Sequence, residues 1–353
     1  MPVMMPLREP FTDAVDGQVL PKIITLGPDM YGLAFHLMKL LPARFIVSRA
    51  IERGELAPGA TVAETTSGTF GLGLAMECRV RGYPLILVGD PVIDGTLRNR
   101  LEALGARVSI VPRSTLRTQD VQQARLERLA RIRSRLPSSF VPRQYDNPDN
   151  PASYGVVAEL LLESLGMVDA LVCPVGSGGS SCGIGSFLRA LSPDLQLVGV
   201  DTPGSILFAA PEGPRPLRGL GSGIIPRVLD HRLFDEVHWL PAAQAFAATR
   251  RLHAEHCLFM GPTSGAAYHV ARWYARSHPG ARVVVVFPDE GHRYARTVYN
   301  TRWLDRHRLL TPPVETPRTV AHPSEVRGAW TRIAWNRRSR DEVAGSAPRG
   351  VPA

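Results

Sequence analysis

Lysine is almost missing from this sequence. Among 353 residues it occurs only at Lys22 and Lys39, so all but two of the 41 basic residues are arginine. Cysteine is scarce as well, at Cys78, Cys173, Cys182 and Cys257. None of the four forms a CxxC pair or joins a His/Cys cluster with metal-ligand spacing, which excludes a zinc site or a disulfide framework and leaves reduced, buried thiols as the expectation. No apolar run is long enough to cross a bilayer, and the opening residues MPVMMPLREPFTDAVDG carry no apolar segment at all. Neither a membrane span nor a signal peptide is therefore expected, and the expected location is cytoplasmic. A net charge of +9 raises the question of nucleic acid. The arginine excess over lysine, in a chain rich in Ala, Gly and Pro, reads instead as compositional bias. A third of that charge sits after residue 310, where seven arginines face four acids.

What the chain does contain is alternation. Short apolar runs at Thr61–Glu64, Pro84–Gly89, Val108–Val111, Ala170–Pro174, Leu195–Val200 and Arg282–Phe287 read as strands covered on both faces. Helical patterns lie between them, as at Gly71–Arg81, Gly95–Leu104, Thr118–Arg135, Ala243–His256 and Gly265–Arg276. This order predicts an α/β fold of two doubly wound, mostly parallel-sheet domains. The turn-rich stretch at 144–153, QYDNPDNPAS, marks a boundary. The expected division is a smaller α/β domain over 36–145, a larger one formed by 1–35 plus 146–310, and a Pro/Arg-rich extension over 311–353, partly disordered and anchored in places by Trp330 and Trp335.

Three glycine- or hydroxyl-rich segments each lie between a strand and a helix. The first is Gly176-Ser177-Gly178-Gly179-Ser180, which follows the apolar strand VDALVCPV. Glycines let backbone N–H groups approach an anion, and the helix N-terminus adds favourable partial charge, so this is a phosphate cradle. It fits neither the dinucleotide fingerprint nor the nucleoside-triphosphate loop. The second segment, Glu64-Thr65-Thr66-Ser67-Gly68-Thr69-Phe70-Gly71, offers consecutive hydroxyls and amides suited to a carboxylate. The third is Gly261-Pro262-Thr263-Ser264-Gly265-Ala266. Each alone could be a helix cap; three in one chain point to a ligand site.

The series of motifs resembles the cysteine synthase and cystathionine beta-synthase-like family of fold type II pyridoxal-phosphate (PLP) enzymes, in the tryptophan synthase beta superfamily. That family runs through a TPL strand, a catalytic lysine, TSGNTG, QFxNPxN, GTGGT, GxGxGxIP, GISSGA and PxxGxRY. Here the order is Leu20-Pro21-Lys22-Ile23, TSGTFG at 66–71, QYDNPDN at 144–150, GSGGS at 176–180, GLGSGIIP at 219–226, GPTSGA at 261–266 and PDEGHRY at 288–294, over about residues 18–305. The resemblance implies that Gly176, Ser177, Gly178, Gly179 and Ser180 hold the PLP phosphate, that Thr263 faces the pyridine nitrogen, that Thr69 stands at the ring-hydroxyl contact, and that Thr66, Ser67, Gly68 and Gln144 hold the substrate carboxylate. The family's asparagine is replaced by Thr69 and its following threonine by the bulkier Phe70, so the substrate or its pose differs from ordinary cysteine synthesis.

The family's NPTGSVKDR segment is absent, and the chain between Pro21 and Gly54 is shorter than typical relatives by about two helical turns. One alignment puts Val47 in the lysine position, which means a disabled enzyme; the other puts Lys39 there. Lys39 lies three residues before Pro42, a residue tolerated in a first helical turn, whereas Val47 lies on an apolar stripe with Phe45, Ile46, Ala50 and Ile51. A position at a helix start also lowers a lysine's pKa. Lys39 is therefore the expected Schiff-base residue, with Lys22 a remote alternative. His36, His256 and His292 are given no role. The implied activity is β-replacement or β-elimination on a small amino-acid substrate, in a homodimer that binds neither nucleic acid nor membrane. Two alternatives stay open: an inactive relative that binds a partner, and a serine or threonine dehydratase-like lyase.

Overall fold

The computed structural model describes residues 10–66, 68–91, 93–115, 121–217 and 219–345, with backbone only for residues 121 and 122. Its strands are β1 (Lys22–Gly27), β2 (Met30–Ala34), β3 (Val62–Thr65), β4 (Leu85–Gly89), β5 (Arg107–Ile110), β6 (Ala170–Pro174), β7 (Gln196–Asp201), β8 (Glu236–Trp239), β9 (Val283–Phe287), β10 (Arg318–Thr319) and β11 (Thr331–Ala334). The longer helices are α1 (Leu40–Glu52), α2 (Thr69–Arg81), α3 (Gly95–Ala103), α4 (Val121–Ser134), and, after the short α5 (Asp149–Ala152), α6 (Gly155–Leu165), α7 (Gly179–Leu191), α8 (Ala242–His256) and α9 (Pro262–Ser277). Two short helices follow, α10 (Thr301–Arg306) and α11 (Arg340–Gly345).

These elements build two sheets, one of eight strands in the order β1-β2-β9-β6-β7-β8-β11-β10 and one of three in the order β3-β4-β5. The small sheet is parallel throughout, and so is the run β2-β9-β6-β7-β8 at the centre of the large one. The antiparallel pairings are β1 with β2 and β8 with β11. Strands such as VVVVF of β9 are buried at every position because helices cover both faces, which removes the period-two alternation that a half-exposed strand would show. Three sizeable apolar clusters follow from this layering: one on each side of the large sheet, and one gathering α1, α2 and the small sheet.

All six strands read from the sequence are present within a residue or two. The sequence reading did not find β2, β8, β10 and β11. The Pro/Arg-rich segment expected as a partly disordered extension carries ordered elements as far as residue 345; residues 346–353 lie outside the described residues. β11 adds antiparallel to β8, Trp330 donates its indole N–H to His238 Nδ1 at 3.1 Å, and Trp335, fully buried, meets Phe208 edge-on at 5.2 Å. Arg332 adds a bond to Glu236 at 3.2 Å. Two tryptophans bury enough apolar surface to order a segment whose composition is otherwise that of a loop. The thiols need one correction: Cys78, Cys173 and Cys182 are buried and free, but Cys257 is exposed, in the left-handed turn that ends α8.

Candidate active site

Lys39 caps α1. The turn that delivers it is tied to the large sheet, where Met38 N–H bonds Pro288 O at 2.7 Å. Pro42 falls in the first helical turn, where no intrahelical N–H donor is needed. The Lys39 side chain crosses to the glycine-rich segment and donates from Nζ to Ser177 Oγ at 3.0 Å. Burial lowers its pKa to about 8, so desolvation, rather than the helix start expected from the sequence, is what favours the free amine. Val47 lies inside the core of α1, α2 and the small sheet with no exposure. Lys22 begins β1 on an exposed face. Among the described residues only Lys39 brings an amine to the cleft.

The glycine-rich segment turns from β6 into α7. Gly178 has φ +85° and sits so close to Leu229 that a Cβ there would lie 2.8 Å from its side chain. A Cβ on Gly179 would run into the Asn150 carboxamide, and Asn150 in turn donates to Gln144 O at 2.6 Å. Ser181 Oγ bonds Gly178 O at 3.1 Å and so closes the first turn. The first amides of α7 have no acceptor within their helix, and Ser177 and Ser180 line the cleft into which Lys39 reaches. Gly176, Ser177, Gly178 and Ser180 line the cleft; Gly179 stands behind them against Asn150.

Across a cleft of about 430 Å³ stand Thr66, Gly68, Thr69 and Gln144. Ser67 lies outside the described residues. Thr66 accepts the Gly68 N–H on its hydroxyl at 3.2 Å, and Thr69 opens α2. Phe70 is 2% exposed and its ring belongs to the core around α2, so the bulk expected beside the carboxylate loop is largely withdrawn into that core. Thr263 reaches the cleft from the first turn of α9, which opens on Gly261 and Pro262.

The sequence reading overlooked the charged lining. Asp289 is pushed up to about 6 by burial, against the bond that it accepts from Tyr294 OH at 3.0 Å. Arg293 bridges to Asp94 at the start of α3, at 2.7 Å, and so ties the large sheet to the smaller one. Arg125 approaches Asp90 at 3.7 Å, and Arg215 also lines the cleft. Glu64, at the end of β3, is raised to about 7 by burial despite backbone amides on its carboxylate. PDEGHRY held a clue to Asp289 and Tyr294; Arg125 and Arg215 sit in segments with no motif. Of the histidines, His36 and His292 share Glu290 at 3.1 and 3.2 Å, and His256 contacts Tyr268 OH at 2.8 Å.

A half-buried amine held against an anion cradle, between two parallel α/β units, defines a class: an enzyme that binds a phosphorylated carbonyl cofactor. The sequence profile described as "Pyridoxal-phosphate dependent enzyme" matches residues 38–289. The chain belongs to that family. N-(2-amino-2-carboxyethyl)-L-glutamate synthase of Cupriavidus metallidurans is 35% identical over 330 residues, covering 90% of this chain and 93% of the relative. A probable cysteine synthase of Bacillus subtilis is 33% identical over 259 residues, covering 71% and 82%. Among solved structures, O-acetylserine dependent cystathionine beta-synthase from Helicobacter pylori superposes with a TM-score of 0.76 at 25% identity, over 83% of this chain and 100% of that one. O-ureido-L-serine synthase superposes with 0.74 at 26% identity, over 84% and 96%. The fold is thus that of the fold type II PLP enzymes, the cofactor is pyridoxal 5′-phosphate, and the activity is of the cysteine synthase type, acting on a small amino acid.

The residues present fit that cofactor. The α7 amides and the Ser177 and Ser180 hydroxyls suit its phosphate, Gly176 and Gly178 keep the cradle clear, and the Lys39 amine stands at the cradle's edge. No helix among the described residues is long and apolar enough to cross a membrane.

Proposed function

We propose that the chain replaces the β-substituent of a serine-derived amino acid, with Lys39 as the residue that holds PLP and moves the α-proton. The observation that carries this reading is the 3.0 Å contact of Lys39 Nζ with Ser177 at the phosphate cradle. Bound there, PLP would supply the electron sink that acidifies the substrate Cα–H. Residues 176–180 would hold the phosphate, and Thr263 and Thr69 would hold the ring. Thr66, Ser67, Gly68 and Gln144 hold the substrate carboxylate. Lys39, with its pKa near 8, takes the proton from Cα. The Cβ–O bond breaks and the leaving group departs with its electron pair. A nucleophile adds at Cβ and loses a proton, and Lys39 returns a proton to Cα. Donor plus nucleophile thus gives product, leaving group and one proton.

An amino-acid amine is the favoured nucleophile, because the relative that covers nearly the whole chain bears a name describing a 2-amino-2-carboxyethyl group carried by L-glutamate. Sulfide is the second reading, on the match to cysteine synthases. A homodimer in the cytoplasm completes the proposal. Val156, Phe187 and Leu191 are 39%, 45% and 63% exposed on α6 and α7, an apolar face suited to cover by a second copy.

The test is borohydride reduction of the PLP-loaded protein followed by peptide mass spectrometry. A pyridoxyl adduct on Lys39, lost in Lys39→Ala together with at least 1,000-fold of donor turnover, is the expected result. An adduct on neither lysine overturns the assignment and favours the inactive-relative alternative.

A further inference from the structure

Three arginines reach the cleft, and they differ in what neutralises them. Arg293 is bonded to Asp94 at 2.7 Å. Arg125 lies 3.7 Å from Asp90 and also feels the charge of Glu64. Arg215 forms no ion pair within the described residues, and its Nη1 is shut off from solvent without a hydrogen-bond acceptor. A guanidinium N–H left in that condition is unfavourable, and a carboxylate that accepts from the guanidinium removes the cost. Asp201, the buried acid that acts on Arg215 through space, is itself raised to about 7 by burial and offers only part of a charge at neutral pH.

The loop that carries Arg215 is held on both sides of it, and before it Gly213 N–H bonds Gly204 O at 3.1 Å. After it the loop is pinned where Gly221 N–H bonds Val175 O at 2.8 Å, Ser222 N–H bonds Ser205 Oγ at 3.0 Å and Ile206 N–H bonds Ser222 O at 3.0 Å. The same loop closes over the phosphate cradle: a Cβ on Gly176 would lie 3.3 Å from Gly219 O. On the other side Tyr145 lies within the fields of both Arg125 and Arg215.

We infer that Arg215 reads the side-chain carboxylate of an acidic amino acid whose amine is the nucleophile. The inference rests on the β-replacement reading above and adds the site that selects the second substrate. In that scheme the cofactor phosphate belongs to residues 176–180 and the donor carboxylate to Thr66, Gly68 and Gln144. Arg215 is the cleft arginine that neither anion claims and that forms no ion pair among the described residues. Its guanidinium holds the distal carboxylate, which leaves the acceptor's amine free to approach the donor Cβ.

The test uses the full-length PLP-loaded enzyme with O-acetyl-L-serine as donor and either L-glutamate or uncharged L-norvaline as acceptor. Wild type is expected to prefer L-glutamate by at least 30-fold in kcat/KM. Arg215→Met is expected to raise the KM for L-glutamate 10- to 100-fold, with kcat altered less than threefold and the KM for donor altered less than threefold. Arg215→Lys, which keeps charge but not the fork, is expected to fall between. A melting temperature within two degrees of wild type, measured first, establishes that the variant is folded. The inference is overturned if Arg215→Met raises the KM for O-acetyl-L-serine or for O-phospho-L-serine as much as that for L-glutamate, because the arginine then serves the donor. It is overturned alone if wild type uses donor with sulfide but not with L-glutamate. A wild type whose cofactor absorbance does not respond to any donor sinks the underlying reading instead.

Discussion

The two walls of the cleft are built to different tolerances. On the large-sheet wall the backbone is packed so closely that side chains are excluded. A Cβ on Gly178 would press on Leu229, one on Gly179 would run into Asn150, one on Gly183 would run into Pro151 O, and one on Gly265 would run into Thr249. On the facing wall Gly71 and Gly73 inside α2 are packed just as closely, but Gly68, in the loop itself, has no atom within 4 Å of the position a Cβ would take, and Gly95, at the start of α3, is equally open. The first wall rests on eight strands, the second on three. A binding surface for a fixed phosphate needs backbone amides that do not move, and close packing supplies them. A loop that meets an exchangeable substrate carboxylate needs room around it, and the space at Gly68 supplies that.

The comparison can be broken from its backing inward. Trp335→Ala removes a fully buried indole from the cluster with Phe208 behind the large sheet, and is expected to cost about 3–5 kcal/mol, read as a fall in denaturation midpoint. A loss below about 1 kcal/mol would mean that the C-terminal segment is not part of the fixed wall. Lys39 spans the two walls, and its own contribution depends on pH. Its folded pKa of about 8 lies below the ordinary 10.5. Above about pH 10.5 the amine is neutral in both states and costs nothing; as pH falls, the unfolded chain takes up the proton first, and the full cost is present below pH 8. Lys39→Met is therefore expected to stabilise the cofactor-free protein by about 1–3 kcal/mol at pH 7, with the gain fading between pH 8 and 10.5. A pH-independent difference in melting would contradict this.

Glycine substitution tests the walls most directly. Gly179→Ala forces Asn150 to move and is expected to cost about 1–3 kcal/mol and to weaken PLP binding as seen by absorbance titration. Gly68→Ala is expected to cost less than about 0.5 kcal/mol, since its φ of −127° suits any residue and its surroundings are open. Equal costs at the two positions would erase the distinction between the walls.

Much of this arrangement was legible as text. Apolar runs marked the central strands because a strand covered on both faces needs apolar residues at every position. The loops at 66–71, 176–180 and 261–266 were visible because anion-binding turns need glycine and hydroxyls in close order. β8 and β11 were missed for an equally physical reason. EVHW and TRIA lie at the side of the large sheet where β11 joins antiparallel, carry charged and polar residues, and pair with each other across nearly a hundred residues. The charged lining was missed because Arg125 and Arg215 belong to no local pattern, and their ion-pair state depends on acids brought near by folding.

By itself the sequence determined the alternation of strands and helices, the three ligand-facing turns, and the scarcity of lysine that narrowed the amine to two candidates. Only the tertiary structure sets them apart, since it turns Lys39 toward Ser177, leaves Lys22 on an exposed strand and seals Val47 in the core. Periodicity and turn chemistry act over a few residues and can be read along the chain. Burial, the pKa of an amine and the neutralisation of a guanidinium depend on groups that are distant in sequence, and they exist only after the two sheets have packed together.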